Sequence, residues 1–260
     1  LYTYPLGLFV ILSGAASHTQ LTPIVSLKSP LISFLLAFIA FGPNEYYDRK
    51  IDRNLERKKI TGNIVSDERI GFTVAWGSIA LGIIASLFLS FTAAVSFLIV
   101  IAASVAYSVP PLRFKGRAPL DGITNGIGLF FIFALGVGFI GGTFSDIIPG
   151  AYWFSLIFAA FHGIAAIPDV KEDRKAGLRT MPVLIGKKGV LLLSQSTVIL
   201  ALLFENFSPL TKRMLLIMFF APIFSSFTIN NERKMSKMVI AGVPLCALYL
   251  ILYAVTRGVI

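Results

Sequence analysis

Two stretches of the 260-residue chain carry acidic side chains at helical spacing. The first reads Pro43-Asn44-Glu45-Tyr46-Tyr47-Asp48-Arg49-Lys50-Ile51-Asp52, the second Pro168-Asp169-Val170-Lys171-Glu172-Asp173-Arg174-Lys175-Ala176-Gly177. Superposed, they share Pro-(Asn/Asp)-x-x-x-Asp-Arg-Lys. A step of four residues returns to the same helix face one turn on. Asn44, Asp48 and Asp52 therefore form one polar stripe, Asp169 and Asp173 another, and Glu45 reaches Asp48 at i,i+3. Oxygen donors of this kind suit Mg²⁺, which commonly bridges protein carboxylates to phosphate oxygens while keeping several waters. The acids alone would repel a diphosphate; with metal between, they accept it. Arg49, Lys50, Arg174, Lys175, Arg113, Lys115 and Arg117 are the basic groups available to phosphate oxygens directly. The chemistry this permits is metal-assisted loss of diphosphate from an allylic lipid. The carbocation left behind needs a chamber that excludes water and aromatic faces that stabilise positive charge. Tyr46, Tyr47 and Tyr107 stand at the right depth for the latter.

Each acidic stretch closes a long apolar run. Hydrophobic residues make up 56 % of the chain and charged residues 14 %, against about 25 % charged in an average globular domain. Nine apolar segments are predicted, at 1–16, 30–43, 70–89, 93–108, 121–141, 147–168, 190–204, 214–227 and 238–255. Several approach the length of about 20 residues that spans a bilayer. The second is short, so its helix is expected to run on through the acidic stretch to Asp52. The acidic stretches start 125 residues apart, and both follow an even-numbered segment. They therefore share an orientation, and the repeat is parallel rather than inverted. The expected fold is an all-α membrane protein of about nine transmembrane helices, two parallel four-helix repeats around a central cavity with a ninth helix added. It forms a single polytopic domain over 1–260, with cap regions at 45–69, 109–120 and 169–189. The proline before each stripe is expected to kink or break the helix there.

Lys and Arg assign the sides. The connections 2–3, 4–5, 6–7 and 8–9 hold 19 of the 23 basic residues. This places them, and both acidic stretches, in the cytoplasm of a multi-pass cell-membrane protein. The net charge of +10 is then accounted for by topology and anionic lipid headgroups, with no nucleic-acid partner. The one cysteine, Cys246, permits no internal disulfide. The chain starts inside an apolar run without Met, which reads as a trimmed N-terminus and not a signal peptide.

Several residues have simpler readings. A charged stretch at a helix end is ordinarily a solvated face, and only the recurrence at equivalent repeat positions lifts these two above that. Arg113, Lys115 and Arg117 also satisfy the positive-inside rule. Tyr46 and Tyr47 read as interface anchors before cation stabilisers. Tyr107 and Ser108 end a helix at the interface, where Tyr is common whether or not it meets substrate. His162 requires no more than a hydrogen bond to a neighbouring helix. Asp121 reads first as a helix N-cap.

Taken together, the two stretches resemble the aspartate-rich motifs of the UbiA superfamily of intramembrane prenyltransferases. That family's first motif, N-D-x-x-D-x-x-x-D, is met by Asn44, Asp48 and Asp52. Its second, D-x-x-x-D-x-x-x-G, is met by Asp169, Asp173 and Gly177. Leu178-Arg179-Thr180-Met181-Pro182 is similar to the family's continuation, and Tyr107-Ser108-Val109-Pro110-Pro111-Leu112-Arg113-Phe114-Lys115 to its 4–5 loop signature. One position departs: Glu45 stands where the family has Asp, keeping the charge on a longer arm. The resemblance implies Mg²⁺-dependent transfer of a prenyl group from a prenyl diphosphate to a hydrophobic acceptor in the bilayer. It assigns Asn44, Glu45, Asp48, Asp52, Asp169 and Asp173 to metal, and Asn44, Arg49, Lys50, Arg113, Lys115 and Lys175 to diphosphate. Tyr107 joins Asp48, Asp52, Asp169 and Asp173 in catalysis, and Tyr107 and Ser108 meet the acceptor. That acceptor is a lipid or carotenoid, or an aromatic or quinone precursor.

Two other classes compete. CDP-alcohol phosphotransferases also use aspartates four apart, but Asp121-Gly122 lacks the Ala-Arg that must follow. A transporter with a cation or anion site at the cytoplasmic face suits a parallel repeat, yet it predicts carboxylates at mid-membrane. Here they cluster at helix ends.

Overall fold

The computed structural model describes residues 3–16, 23–52 and 67–228. The regular elements there are helices: α1 (Thr3–Ala16), α2 (Pro23–Asp52), α3 (Glu68–Ser86), α4 (Phe91–Ser108), α5 (Leu120–Phe139), α6 (Pro149–Ala166), α7 (Val170–Lys175), α8 (Met181–Phe204) and α9 (Pro209–Thr228). Short 3₁₀ turns lie at Phe114–Gly116, Phe144–Asp146 and Ile167–Asp169. Eight of the nine expected segments are thus helices, and the ninth, 238–255, lies outside the described residues. Among the described residues, five helices are long and apolar enough to cross a membrane: α3, α4, α5, α6 with its continuation to Lys175, and α8.

Local chemistry sets several of the ends. Asp67 caps α3, its Oδ1 accepting from Arg69 N–H at 2.7 Å. Pro149 opens α6 at a position where its missing N–H costs nothing. Two expectations need correction. α2 begins at Pro23 and runs 30 residues without a break through Pro30 and Pro43. One lost N–H is tolerated there because the other backbone bonds of the helix persist. α8 begins at Met181, nine residues before the expected 190, and turns sharply at Gly186 (φ 70°, ψ 169°). The polar Lys187-Lys188 pair beyond that break masks its first turn in the apolar pattern.

Within the first repeat α2 packs on α1, α3 and α4; within the second, α6 packs on α5 and α8, and α8 on α9. α5 joins the halves by packing on α1 and α4. The α1–α5 crossing depends on glycine: a Cβ at Gly136 would sit 2.0 Å from the Ile11 carbonyl oxygen, and one at Gly14 2.1 Å from that of Phe133. Small residues that let backbones approach in this way drive helix association where lipid removes the hydrophobic gain. Ile11, Leu36, Ile39, Phe97, Ile101 and Leu135 form the core of the first half with α5. Ile157, Val198, Phe207 and Leu215 form that of the second. Leu87, Phe88 and Phe91 are 77–80 % exposed at the end opposite the acidic stretches. In water such a patch would be a liability; in lipid it is solvated.

Candidate active site

The first acidic stretch lies near the C-terminal end of α2, where the helical spacing puts Asn44 and Asp48 on one face. The segment between α4 and α5 reaches across to it. Arg113 Nη2 donates to Asp48 Oδ1 at 3.0 Å, and Lys115 Nζ to Asn44 Oδ1 at 3.0 Å and to Asp48 Oδ2. Asp48, Arg113 and Lys115 are all mostly buried, so water screens these pairs less than at a surface. Arg113 takes up a left-handed conformation (φ 40°) to make its contact. A non-glycine residue there costs on the order of 1–3 kcal/mol, a strain typical of functional sites.

The second stretch is built differently. α6 ends at Ala166, the 3₁₀ turn Ile167–Asp169 contains Pro168, and Asp173 sits on the six-residue α7. Here the predicted proline break does occur. Gly177, at φ +72°, then closes α7. Leu178 N–H bonds the Asp173 carbonyl and Gly177 N–H the Arg174 carbonyl, the paired bonds of a Schellman motif, whose left-handed position glycine fills without steric cost. The reversed chain brings Thr180 Oγ1 to within 2.9 Å of Asp173 Oδ2. Thr180 occupies the N-cap position of α8, but its hydroxyl serves Asp173 and makes no cap bond. The N–H of Met181 is satisfied instead by Asp121 Oδ2 at 2.8 Å. Asp121 therefore caps α8 from across the bundle, where the sequence predicts a cap of its own helix α5.

Two backbone bonds tie the connecting segments together, Ala118 N–H to Arg179 O at 2.6 Å and Arg179 N–H to Gly116 O at 2.8 Å. Lys115, next to the tied Gly116, belongs to this joined segment. It contacts Asn44 and Asp48 directly and its charge acts on Asp173, which also feels Asp169 and Glu172. Tyr107, at the end of α4, feels the charges of both Asp48 and Asp173.

The remaining predicted residues fall as follows. Glu45 is half-buried next to Asn44. Tyr46 packs edge-on against Tyr47 and against Phe72 of α3, as an anchor would. Arg49, Lys50 and Asp52 lie on the last turn of α2, and their side chains are outside the described residues. Lys175 is exposed and lines a surface depression with Val170, Lys171 and Arg174. Ser108 is fully buried, its hydroxyl unpaired among the described residues; Tyr107 is the member of that pair with accessible surface. Sequence reasoning missed Thr180 as a partner of Asp173, although the Thr-Met-Pro order announces a helix start.

The donors fit a hard divalent cation. Asn44 and Asp48 already converge two oxygens on one cation, the Lys115 ammonium. No three Asp, Glu, His or Cys side chains among the described residues form a complete cage. Mg²⁺ commonly takes one or two carboxylates and completes its shell with water and phosphate oxygens, and the Asn44–Asp48 pair offers donors of that kind.

Comparisons with known proteins agree with the fold. The apo structure of a UbiA homologue from Aeropyrum pernix K1 superposes with a TM-score of 0.73 at 18 % identity, covering 97 % of this chain and 98 % of that one. A UbiA homologue from Archaeoglobus fulgidus, bound to DMAPP and Mg²⁺, gives 0.66 at 22 % identity over 95 % of this chain and 98 % of that one. Both share the helical membrane fold. A lycopene elongase/hydratase of Haloarcula japonica is 34 % identical over 153 residues, 56 % of this chain. The match spans half the length of that relative. The model of the UbiA prenyltransferase family matches residues 6–240. With two acidic stretches at one end of a parallel helical repeat and that match over nine-tenths of its length, the chain belongs to the UbiA prenyltransferase family.

Proposed function

We propose that the protein transfers a prenyl group from a prenyl diphosphate to a hydrophobic acceptor within the membrane, and that the acceptor is a polyene of the carotenoid class. The observation that carries the first part is the Asn44–Asp48 pair on which Arg113 and Lys115 converge, with the backbone tie from Gly116 and Ala118 to Arg179 joining that segment to the second acidic stretch at the same end of an apolar bundle. The name of the haloarchaeal relative, a lycopene elongase/hydratase, supports the second.

The roles follow from position. Asn44, Glu45, Asp48, Asp169 and Asp173, with Asp52 by the sequence pattern alone, would hold Mg²⁺, which would supply neutralisation of charge on the departing diphosphate. Arg113 and Lys115 exchange their carboxylate partners for phosphate oxygens as the headgroup arrives. Thr180 holds the Asp173 carboxylate in one orientation. Tyr107 offers its ring to the allylic cation, and the apolar helices below keep water from quenching it. The basic bias of the connections on this side supports an active site facing the cytoplasm.

Thermal unfolding in detergent tests the headgroup site. Geranyl diphosphate should raise the melting temperature only when Mg²⁺ is present, whereas a transporter has no reason to require the pair. Incubation with labelled prenyl diphosphates and a bacterial membrane-lipid extract identifies the acceptor. Label in a glycerol lipid or a quinone precursor, with none in a carotenoid, overturns the polyene assignment.

A further inference from the structure

A polar cluster sits among α4, α5 and α6. Tyr107 Oη lies 3.1 Å from His162 Nε2, with the two rings edge to face. Asn125 approaches the same phenol from α5. Asp121 is 1 % exposed, and only one of its oxygens is used, as the cap of α8; Oδ1 accepts no hydrogen bond among the described residues. Its charge reaches both Tyr107 and His162. Tyr107 thus contacts the imidazole and feels the charges of both acidic stretches, and both Tyr107 and His162 keep some accessible surface. An ionisable side chain within a membrane span is expensive and, by default, functional.

We infer that His162 receives, through Tyr107, the proton that must leave at the end of prenyl transfer. This rests on the prenyl-transfer reading above. When the donor C–O bond breaks, its electron pair leaves with the diphosphate. The acceptor π pair forms the new C–C bond and leaves a cation on the acceptor. That cation ends in one of two ways: an adjacent C–H bond breaks and its pair becomes a C=C bond, or a water oxygen adds to it. Either route releases one proton. The proton passes to Tyr107 Oη as the phenol's own proton moves to His162 Nε2, in the tautomer whose Nδ1 carries the resting hydrogen. The acids at the headgroup end are committed elsewhere, Asp48 to the headgroup site that Arg113 and Lys115 share with it and Asp173 to Thr180. Burial works against a charged imidazole at this depth, and the Asp121 carboxylate offsets that cost in part. Released diphosphate or water at the headgroup end then takes the proton away.

Tyr107 touches the substrate in this scheme; His162 and Asp121 act through it. The test measures diphosphate release and prenylated product separately, using labelled geranyl diphosphate with lycopene or a membrane-lipid extract. His162→Gln keeps a polar side chain but holds no proton. It should release diphosphate at a rate within about threefold of wild type, while product per diphosphate falls about a hundredfold, the typical scale of general acid–base catalysis. The missing prenyl group should appear as abortive alcohol or diene. Tyr107→Phe preserves the ring packing and should also lower the ratio of product to diphosphate, whatever its rate of diphosphate release, and it stands in if His162→Gln fails to fold in detergent. An unchanged ratio of product to diphosphate in a folded variant overturns the inference alone. A wild-type protein that neither releases diphosphate nor prenylates any acceptor overturns the prenyl-transfer reading as well.

Discussion

Asp48 and Asp173 occupy equivalent places in the repeat, but their supports differ. Asp48 projects from an unbroken 30-residue helix, while Asp173 sits on a six-residue helix behind a 3₁₀ turn. Both stretches begin with proline. α2 continues through Pro43, where it packs so closely on α3 that a Cβ at Gly42 would lie 3.0 Å from the Ala75 Cα. At Pro168 the backbone tightens into a 3₁₀ turn, and Gly177 then folds the chain back. The partners differ in kind as well. Asp48 is met by two cations from a distant segment, Asp173 by a neutral hydroxyl seven residues on. The first acid is thus fixed by tertiary contacts and the second by local turn chemistry. A duplicated sequence pattern preserves the donor atoms, not the means of holding them.

That contrast can be broken by substitution. Asp48→Asn and Asp173→Asn should each abolish transfer, by about a thousandfold or more, since one oxyanion-type stabilising group alone is worth about 10²–10³, while both proteins stay folded in detergent. Normal turnover by either would show that its half of the repeat is not part of the site. Thr180→Val should lower kcat/KM about tenfold, the low end for a hydrogen bond to a charged group; an effect as large as that of Asp173→Asn would mean Thr180 touches substrate. Gly177→Ala should cost about 1–2 kcal/mol of stability by placing a Cβ in the left-handed region, read as a lower melting temperature with a several-fold loss of turnover. No equivalent loss is expected from alanine at Gly77, where an added Cβ meets nothing within 4 Å. Glu45→Asp should change turnover the least, within about threefold, because charge is kept while reach is shortened. Complete loss would show that the longer arm is needed.

Much of this is legible from residue order. The apolar runs mark eight helices, and the shared Pro-(Asn/Asp)-x-x-x-Asp pattern locates both acids. Arg113 and Lys115 stand out as basic groups for the site, and the structure brings both to Asp48. What escapes is tertiary. Periodicity says nothing of which helix a buried carboxylate serves, so Asp121 reads as a cap for α5 when it caps α8. A lone histidine in a span carries no sign of its partner; only the packing of the bundle puts His162 of α6 beside Tyr107 of α4. The start of α8 is hidden because Gly186 and two lysines interrupt its apolar pattern.

The tie between Gly116–Ala118 and Arg179 is made entirely of main-chain atoms. Side-chain scanning across these positions would therefore leave it intact and score it as dispensable. Arg179→Pro deletes one of the tie's two hydrogen bonds, the one from the Arg179 N–H to the Gly116 carbonyl, and so loosens the strap that keeps Lys115 in register with the far half of the molecule.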